Sequence, residues 1–310
     1  MGQAFWAKYL HHRKFWKEFQ QKYTQQLEQI KADIVVSTFN EECRYLLQIK
    51  DGSRKILETH FCRYYHWYVS ADQGLKTRLH ALYKIFRDKR MASRYDAFVC
   101  LSNEDAVSWR PMKNLHVIEN PITIPDKGVA DTSLRRVIAV GRFAYQKSHD
   151  VLVCCWTKIP AEVREGWTLD IYGDGALKPN IELLIAKLGL QDSVRLHSSI
   201  TNIFEEYMKS SIYCSTSKYE GFSLAMCEAM SAGLPVITFA HPCGASDMIL
   251  DESMGMLVPM GREDLYVEKL QMLMTDHELR KNIGANARKS IFERYSMEVI
   301  MQKWHALFVP

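Results

Sequence analysis

Between residues 136 and 260 the chain repeats one pattern: a short, mostly apolar run, a turn, then a segment with helical spacing. The runs are RVIAVG (136–141), TLDIYG (168–173), SVRLHSS (193–199), SIYCSTS (211–217), LPVITFA (234–240) and GMLVPM (255–260). Helical segments fall between them: HDVLVCCWTKI, a stretch over about 179–188, IFEEYMKS and SLAMCEAMSA. Runs without regular apolar–polar alternation are buried on both faces. Their alternation with helices therefore predicts a parallel sheet covered on both sides. In such sheets ligands sit beyond the carboxyl ends of the strands, so the residues after each run are the ones to inspect.

The first third of the chain is less regular. Phe5, Trp6, Tyr9, Leu10, Phe15, Trp16, Phe19, Tyr23, Leu27 and Ile30 recur mostly every three or four residues, which predicts one or two amphipathic helices. ADIVVSTF (32–39), KILETHF (55–61), DAFVCLS (96–102) and LHVIENPI (115–122) are strand candidates. PITIPDKGVADTS (121–133), with two prolines, a glycine and no helical pattern, reads as a linker. A length of 310 residues suits two domains. The expected division is an N-terminal domain over 1–125, a second domain over 126–295, and a last helix over 296–310 that crosses back to the first.

No apolar run approaches the roughly 20 residues that span a bilayer, and the charged N-terminus lacks the core of a signal peptide. Met1-Gly2 is not followed by the Ser or Thr of a myristoylation site. The expected location is cytoplasmic. Eight cysteines are scattered through apolar runs with no C-x-x-C pair, so buried reduced thiols are expected and structural zinc is not. Net charge is only +4, but seven Lys/Arg and one acid, Asp88, lie between Lys76 and Arg94. Leu75, Leu79, Leu82, Tyr83, Ile85, Phe86 and Met91 interleave with them near helical spacing. Two readings stand: a solvated helix with a core face, or a surface helix facing anionic lipid at the inner membrane face or an anionic acceptor.

Three strand ends carry chemistry. After 136–141, Gly141 allows a tight turn, and Arg142 and Lys147 share a loop leading into a helix, a suitable place for a phosphate or diphosphate. After 168–173, Gly173 and Gly175 permit close backbone approach to a ligand. After 211–217 comes KYEGFSLAMCEAMSAGLPVI. Between Gly221 and Ser246 its one carboxylate is Glu228, with no Lys or Arg. Ser223 is placed to cap a helix. The amides of 222–225, including those of Phe222, Ser223 and Leu224, then face the space beside Glu220 at the helix's positive end. A carboxylate in so apolar a run needs partners. Two neighbouring ribose hydroxyls would supply two donors to Glu228, and Glu220 would face another hydroxylated group.

With "VGRFAYQK", "LDIYGDG", "YEGFSLAMCE" and "AMSAGLPVI" in place, the segment from about Val137 to Phe308 resembles the nucleotide-binding half of a family-four retaining glycosyltransferase of the GT-B fold. Glu220 and Glu228, seven residues apart between them, match the family's E-x7-E motif. More weakly, "ADIVVSTF", "ILETHF" and "DAFVCLSNED…VIENPI" are similar to its N-terminal domain. The resemblance implies two Rossmann-like domains with a cleft between them, and transfer of a hexosyl unit from a nucleotide-diphosphate sugar, UDP-linked, with retention. The acceptor implied is a glycan or polyprenyl-linked chain of surface polysaccharide synthesis. Arg142 and Lys147 match the cations that neutralise the departing diphosphate. Glu220 matches the glutamate near the donor sugar, Gly221, Phe222 and Ser223 the backbone along sugar and phosphate, and Glu228 the ribose ligand. His60 matches a histidine facing the sugar from the opposite domain. No cofactor, metal or nucleic acid is expected. Relatives begin with a strand and a glycine-rich loop upstream of the segment matching "ADIVVSTF". Only about 30 residues precede it here, so the expectation is that either Met1 is not the natural start or the N-terminal domain is reduced. Asp247 stands where relatives carry a glutamate. Two rival readings remain: a nucleotide-sugar-binding module without turnover, and a sugar-nucleotide epimerase, which would release free epimerised sugar. An oxidoreductase is disfavoured because no G-x-G-x-x-G follows an early strand.

Overall fold

The computed structural model describes residues 2–70, 73–124 and 128–309, with side chains from residue 14 onward. The side chains of Phe5, Trp6, Tyr9 and Leu10, and the boundary expected at 125/126, lie outside the described residues. Helix Gly2–Ile30 opens the chain. Four strands follow: β1 Ile34–Thr38, β2 Arg54–Glu58, β3 Ala97–Cys100 and β4 Leu115–Val117. They form one parallel sheet in the order β1-β2-β3-β4. Six more follow: β5 Arg136–Val140, β6 Thr168–Tyr172, β7 Val194–His197, β8 Ile212–Ser215, β9 Val236–Phe239 and β10 Met256–Val258. They form a second parallel sheet in the order β10-β9-β8-β5-β6-β7. Nine of the ten strands fall inside an expected run, and β2 begins one residue earlier, at Arg54.

The second sheet buries opposite faces of β5 in different cores. Val137 and Ala139 pack with Leu152, Trp156, Leu169 and Tyr266. Ile138, between them, points the other way toward Tyr213, Met226 and Met230. That second core is continuous with Ile56, Ala97 and Val99 of the first sheet, so the two lobes share apolar packing. The first lobe's outer core gathers Leu27, Leu46, Leu57, Phe98 and Trp109, the last two ring to ring at 4.6 Å. Leu27 belongs to the opening helix, whose predicted apolar face is thereby partly used. β1 is an edge strand, and its Val36 is exposed.

Helix Met297–Phe308 is capped by Ser296, whose hydroxyl accepts from the Val299 amide. It lies over the junction of the sheets. Lys303 Nζ donates to Glu119 Oε2 at 2.5 Å, and the Arg54 guanidinium donates to the Leu307 carbonyl. All eight cysteines are free thiols and seven are buried. Among the described residues no helix is long and apolar enough to cross a membrane.

Helix Gly74–Ala92 departs from the core-face reading. Its buried residues are Ala81, Ile85, Asp88 and Ala92. Leu75, Leu79, Leu82, Tyr83 and Phe86 are all exposed, Leu75 at 75% and Phe86 at 67%. The reason is periodic: these five share a stripe roughly opposite the small residues at 81 and 92 that face the lobe.

Candidate active site

The order of the second sheet reverses at β5, which has β6 on one side and β8 on the other. Chains leaving β5 and β8 diverge there and open a crevice at their carboxyl ends. The loop after β5 holds Gly141, Arg142 and Lys147; the loop after β8 holds Glu220 and Gly221. The two loops meet: Lys147 Nζ donates to Glu220 Oε1 at 2.6 Å, and Gln146 Nε2 donates to Glu220 Oε2 at 3.1 Å. Gln146 also donates to the Tyr219 carbonyl at 2.8 Å. Both carboxylate oxygens of this buried glutamate are thus engaged.

The glycines make this closeness possible. A methyl at Gly141 would lie 3.0–3.2 Å from the Lys147 stem, so the lysine lies across the bare backbone. A methyl at Gly173 would lie 2.1 Å from the Gly141 carbonyl oxygen, so the β6 end can approach the β5 loop only as glycine. Beneath the loop, His149 Nε2 sits 3.2 Å from the Gly141 carbonyl. Burial holds this imidazole down at a pKa of about 4, so it is neutral and structural. Arg142 stays exposed, with no acid partner among the described residues.

Ser223 occupies the N-cap position of helix Leu224–Ser231, but its hydroxyl makes no capping bond, contrary to expectation. The Leu224 amide is not open either: it donates to the Phe222 carbonyl at 3.1 Å, and the Leu224 side chain is exposed. The tight turn at 222–224 spends that amide. No backbone acceptor engages the Phe222 or Ser223 amides among the described residues. The Phe222 ring packs edge-on against Tyr295 at 5.6 Å and fixes the turn.

One turn inside the helix, Glu228 is half-buried and accepts from the Tyr207 hydroxyl at 3.3 Å. Burial raises its pKa, and the Tyr207 bond opposes this only in part. The fully buried Tyr213 of β8 feels the charge of both Glu220 and Glu228, which raises its phenol well above the ordinary value after burial has done most of the work. Tyr207, Tyr213 and Gln146 were not singled out from sequence. Gln146 sits inside "VGRFAYQK" and was readable there, whereas the tyrosines look like ordinary core residues.

His60 belongs to the first lobe. It follows β2, and its Nε2 lies 3.5 Å from Glu58 Oε2. That bond outweighs partial burial and raises the imidazole pKa. A methyl at Gly221 would lie 2.1 Å from the His60 carbonyl oxygen, so the lobes touch beside Glu220. Further contacts hold them. Glu104 Oε2 accepts from the Gly244 amide at 3.3 Å and the Ser246 hydroxyl at 2.9 Å, and Asp247 Oδ2 accepts from the Glu104 amide at 3.2 Å. Asp247 is thus spent on joining the lobes. Tyr68 stacks on Tyr219 at 5.3 Å.

Comparison with known proteins follows the same lines. The family described as glycosyl transferases group 1 matches residues 122–290, more than half of the 310. The amylovoran biosynthesis glycosyltransferase AmsD of Erwinia amylovora is 34% identical over 170 residues, 55% of this chain and 47% of its own length. The poly(ribitol-phosphate) alpha-N-acetylglucosaminyltransferase of Staphylococcus aureus is 35% identical over 204 residues, 66% of this chain and 41% of its own. The chain therefore spans about half the length of these relatives. Among solved structures, TarM superposes with a TM-score of 0.80 at 23% identity, covering 93% of this chain and 57% of TarM. A mutant of S. aureus TarM was solved with fondaparinux, alpha-GlcNAc-glycerol and UDP. The fold is GT-B, and the chain belongs to the group 1 glycosyl transferases.

Proposed function

We propose that this chain is a retaining hexosyltransferase that takes its sugar from a UDP-linked donor. The observation that carries the reading is the meeting of Lys147 and Glu220 at the switch point of the second sheet. There a lysine, an exposed arginine and unengaged amides surround the space in which a diphosphate leaving group must gather charge. Cleavage of the anomeric C–O bond leaves that charge on the nucleotide diphosphate, while the acceptor hydroxyl passes its proton to a departing diphosphate oxygen and its oxygen bonds to the anomeric carbon. Lys147 and Arg142 stabilise the departing diphosphate, and preorganised groups of this kind contribute about 3–4 kcal/mol each to such transition states. Glu228 takes the ribose hydroxyls, replacing its weak Tyr207 bond with two donors. Glu220, held by Lys147 and Gln146, faces the transferred sugar with Gly141, Gly173, Gly221, Phe222 and Ser223 along donor and phosphates, and His60 opposite.

UDP is favoured because TarM, similar in fold, was solved with it. An α-product from an α-linked nucleotide sugar means retention, and the S. aureus relative is named for an α-transfer. Surface polysaccharide or glycan synthesis is the setting suggested by that relative and by AmsD, with a glycan or polyprenyl-linked acceptor. The exposed apolar stripe of helix Gly74–Ala92, bordered by Lys76, Arg87 and Arg90, complements an anionic bilayer surface, where this lobe would meet a lipid-linked acceptor.

The test is release of UDP from UDP-sugars by the purified chain. UDP release that falls at least tenfold in Lys147→Ala supports the reading. Tight binding of UDP-sugar with no release favours a binding module instead, and release of free epimerised sugar an epimerase.

A further inference from the structure

The first lobe contains a cavity of about 410 Å³ at the carboxyl ends of β1 and β2. It belongs to neither the Lys147–Glu220 crevice nor the lobe contacts around Glu104. It borders them, because Tyr65 on its wall packs edge-on against Tyr219 at 6.0 Å, next to Glu220.

The walls are unevenly charged. Four cations line them, Arg44, Arg63, Lys84 and Arg87, against two acids, Glu41 and Asp88. Asp88 is already saturated: Arg87 reaches it at 2.6 Å and His66 at 3.3 Å. Glu41 stands 3.6 Å from Arg44 at the exposed rim. Neither Lys84 nor the Arg63 guanidinium has an acid partner among the described residues. Arg63 donates to the Ser108 carbonyl and stacks on Trp109, while its Nε is buried with no acceptor. Two cations without acid partners in one concavity repel each other. Neutral sugar hydroxyls would supply acceptors but leave the charge uncompensated. A phosphate supplies both, with a charge of roughly −1.5 to −2 and three acceptor oxygens.

We propose that this cavity binds a phosphate-bearing part of the acceptor, gripped by Lys84 and Arg63, with the rest directed past Tyr65 toward Glu220. The word acceptor rests on the transferase reading; the anion site rests on the cavity alone. The phosphate could belong to a prenyl diphosphate carrier or to a polyol phosphate.

The experiment uses the full chain saturated with UDP, so that the Lys147 crevice is occupied. Geranyl diphosphate and glycerol 3-phosphate are titrated separately by calorimetry into the wild type, Lys84→Ala and Lys84→Arg. At least one probe is expected to bind the wild type, to weaken about tenfold in Lys84→Ala and to recover in Lys84→Arg, as loss of a charge-assisted contact requires. Stronger binding of the diphosphate identifies the lipid carrier; stronger binding of the monophosphate identifies the polyol chain. UDP affinity equal in Lys84→Ala and wild type shows that the variant is folded. No binding of either probe to the wild type, or equal binding in all three proteins, overturns the proposal. Failure of the wild type to bind UDP would sink the transferase reading instead, and the Lys84 dependence would still decide the anion site.

Discussion

Glu228 combines two demands that oppose each other. Its carboxylate is half-buried with one weak donor, so burial holds it at a raised pKa. A carboxyl whose folded pKa exceeds its unfolded one favours folding when protonated. That contribution is present below the unfolded pKa and is lost as pH rises through the folded one. At neutral pH the charged form therefore costs stability. Glu228→Gln is expected to raise the thermal midpoint of the ligand-free protein at pH 7, with the gain shrinking toward pH 4. The same variant should weaken UDP binding at least tenfold, the typical loss for hydrogen bonds to a charged group. Calorimetry and melting curves across pH check both halves; a destabilised variant with intact UDP affinity would contradict them. Lys147 offers a second test at this scale: Lys147→Ala should lower turnover at least tenfold, and unchanged kinetics would remove it from the site. Both residues were legible from the sequence, because an isolated carboxylate in an apolar run and a lysine after a strand–glycine turn each demand an explanation. The Lys147–Glu220 bond was not legible, since loops separated by 73 residues in sequence meet only through the sheet order. The capping bond expected of the Ser223 hydroxyl is not made, although Ser223 does occupy the N-cap position.

The strands were legible because each lies in a short, mostly apolar run bounded by turn residues. Helix Gly74–Ala92 was ambiguous for a related reason: its apolar spacing shows that a face exists but not what covers it. The structure turns that face outward. Leu79→Glu combined with Phe86→Glu should leave the melting midpoint within a few degrees and reduce co-sedimentation with anionic vesicles at least tenfold. Burying one such side chain is worth about 1.5–3 kcal/mol, and each replacement adds a repelled charge. Equal sedimentation of variant and wild type would contradict a lipid-facing helix. The glycine-dependent joints make a second prediction. Gly173→Ala would force a methyl to 2.1 Å from a backbone oxygen, so a lower melting point is expected, by more than the 2–4 °C that 1 kcal/mol shifts in domains of this size.

At the scale of the molecule, two parallel sheets are joined by shared apolar packing, by the returning helix Met297–Phe308 and by the paired acids Glu104 and Asp247. The GT-B architecture of the second lobe was legible from periodicity and motif together. The lobe contacts were not, because Gly221 against His60 and Asp247 against Glu104 join segments more than a hundred residues apart. A nucleotide sugar seated between β5 and β8 should stabilise the whole chain by about 2.7 kcal/mol at 100 times its dissociation constant. The most direct measurement is a crystal structure of the chain with UDP. The expected result has the Glu228 carboxylate within hydrogen-bond distance of both ribose hydroxyls and Lys147 Nζ on the diphosphate. A nucleotide bound elsewhere, or Glu228 still turned to Tyr207 with the ribose out of reach, would contradict it.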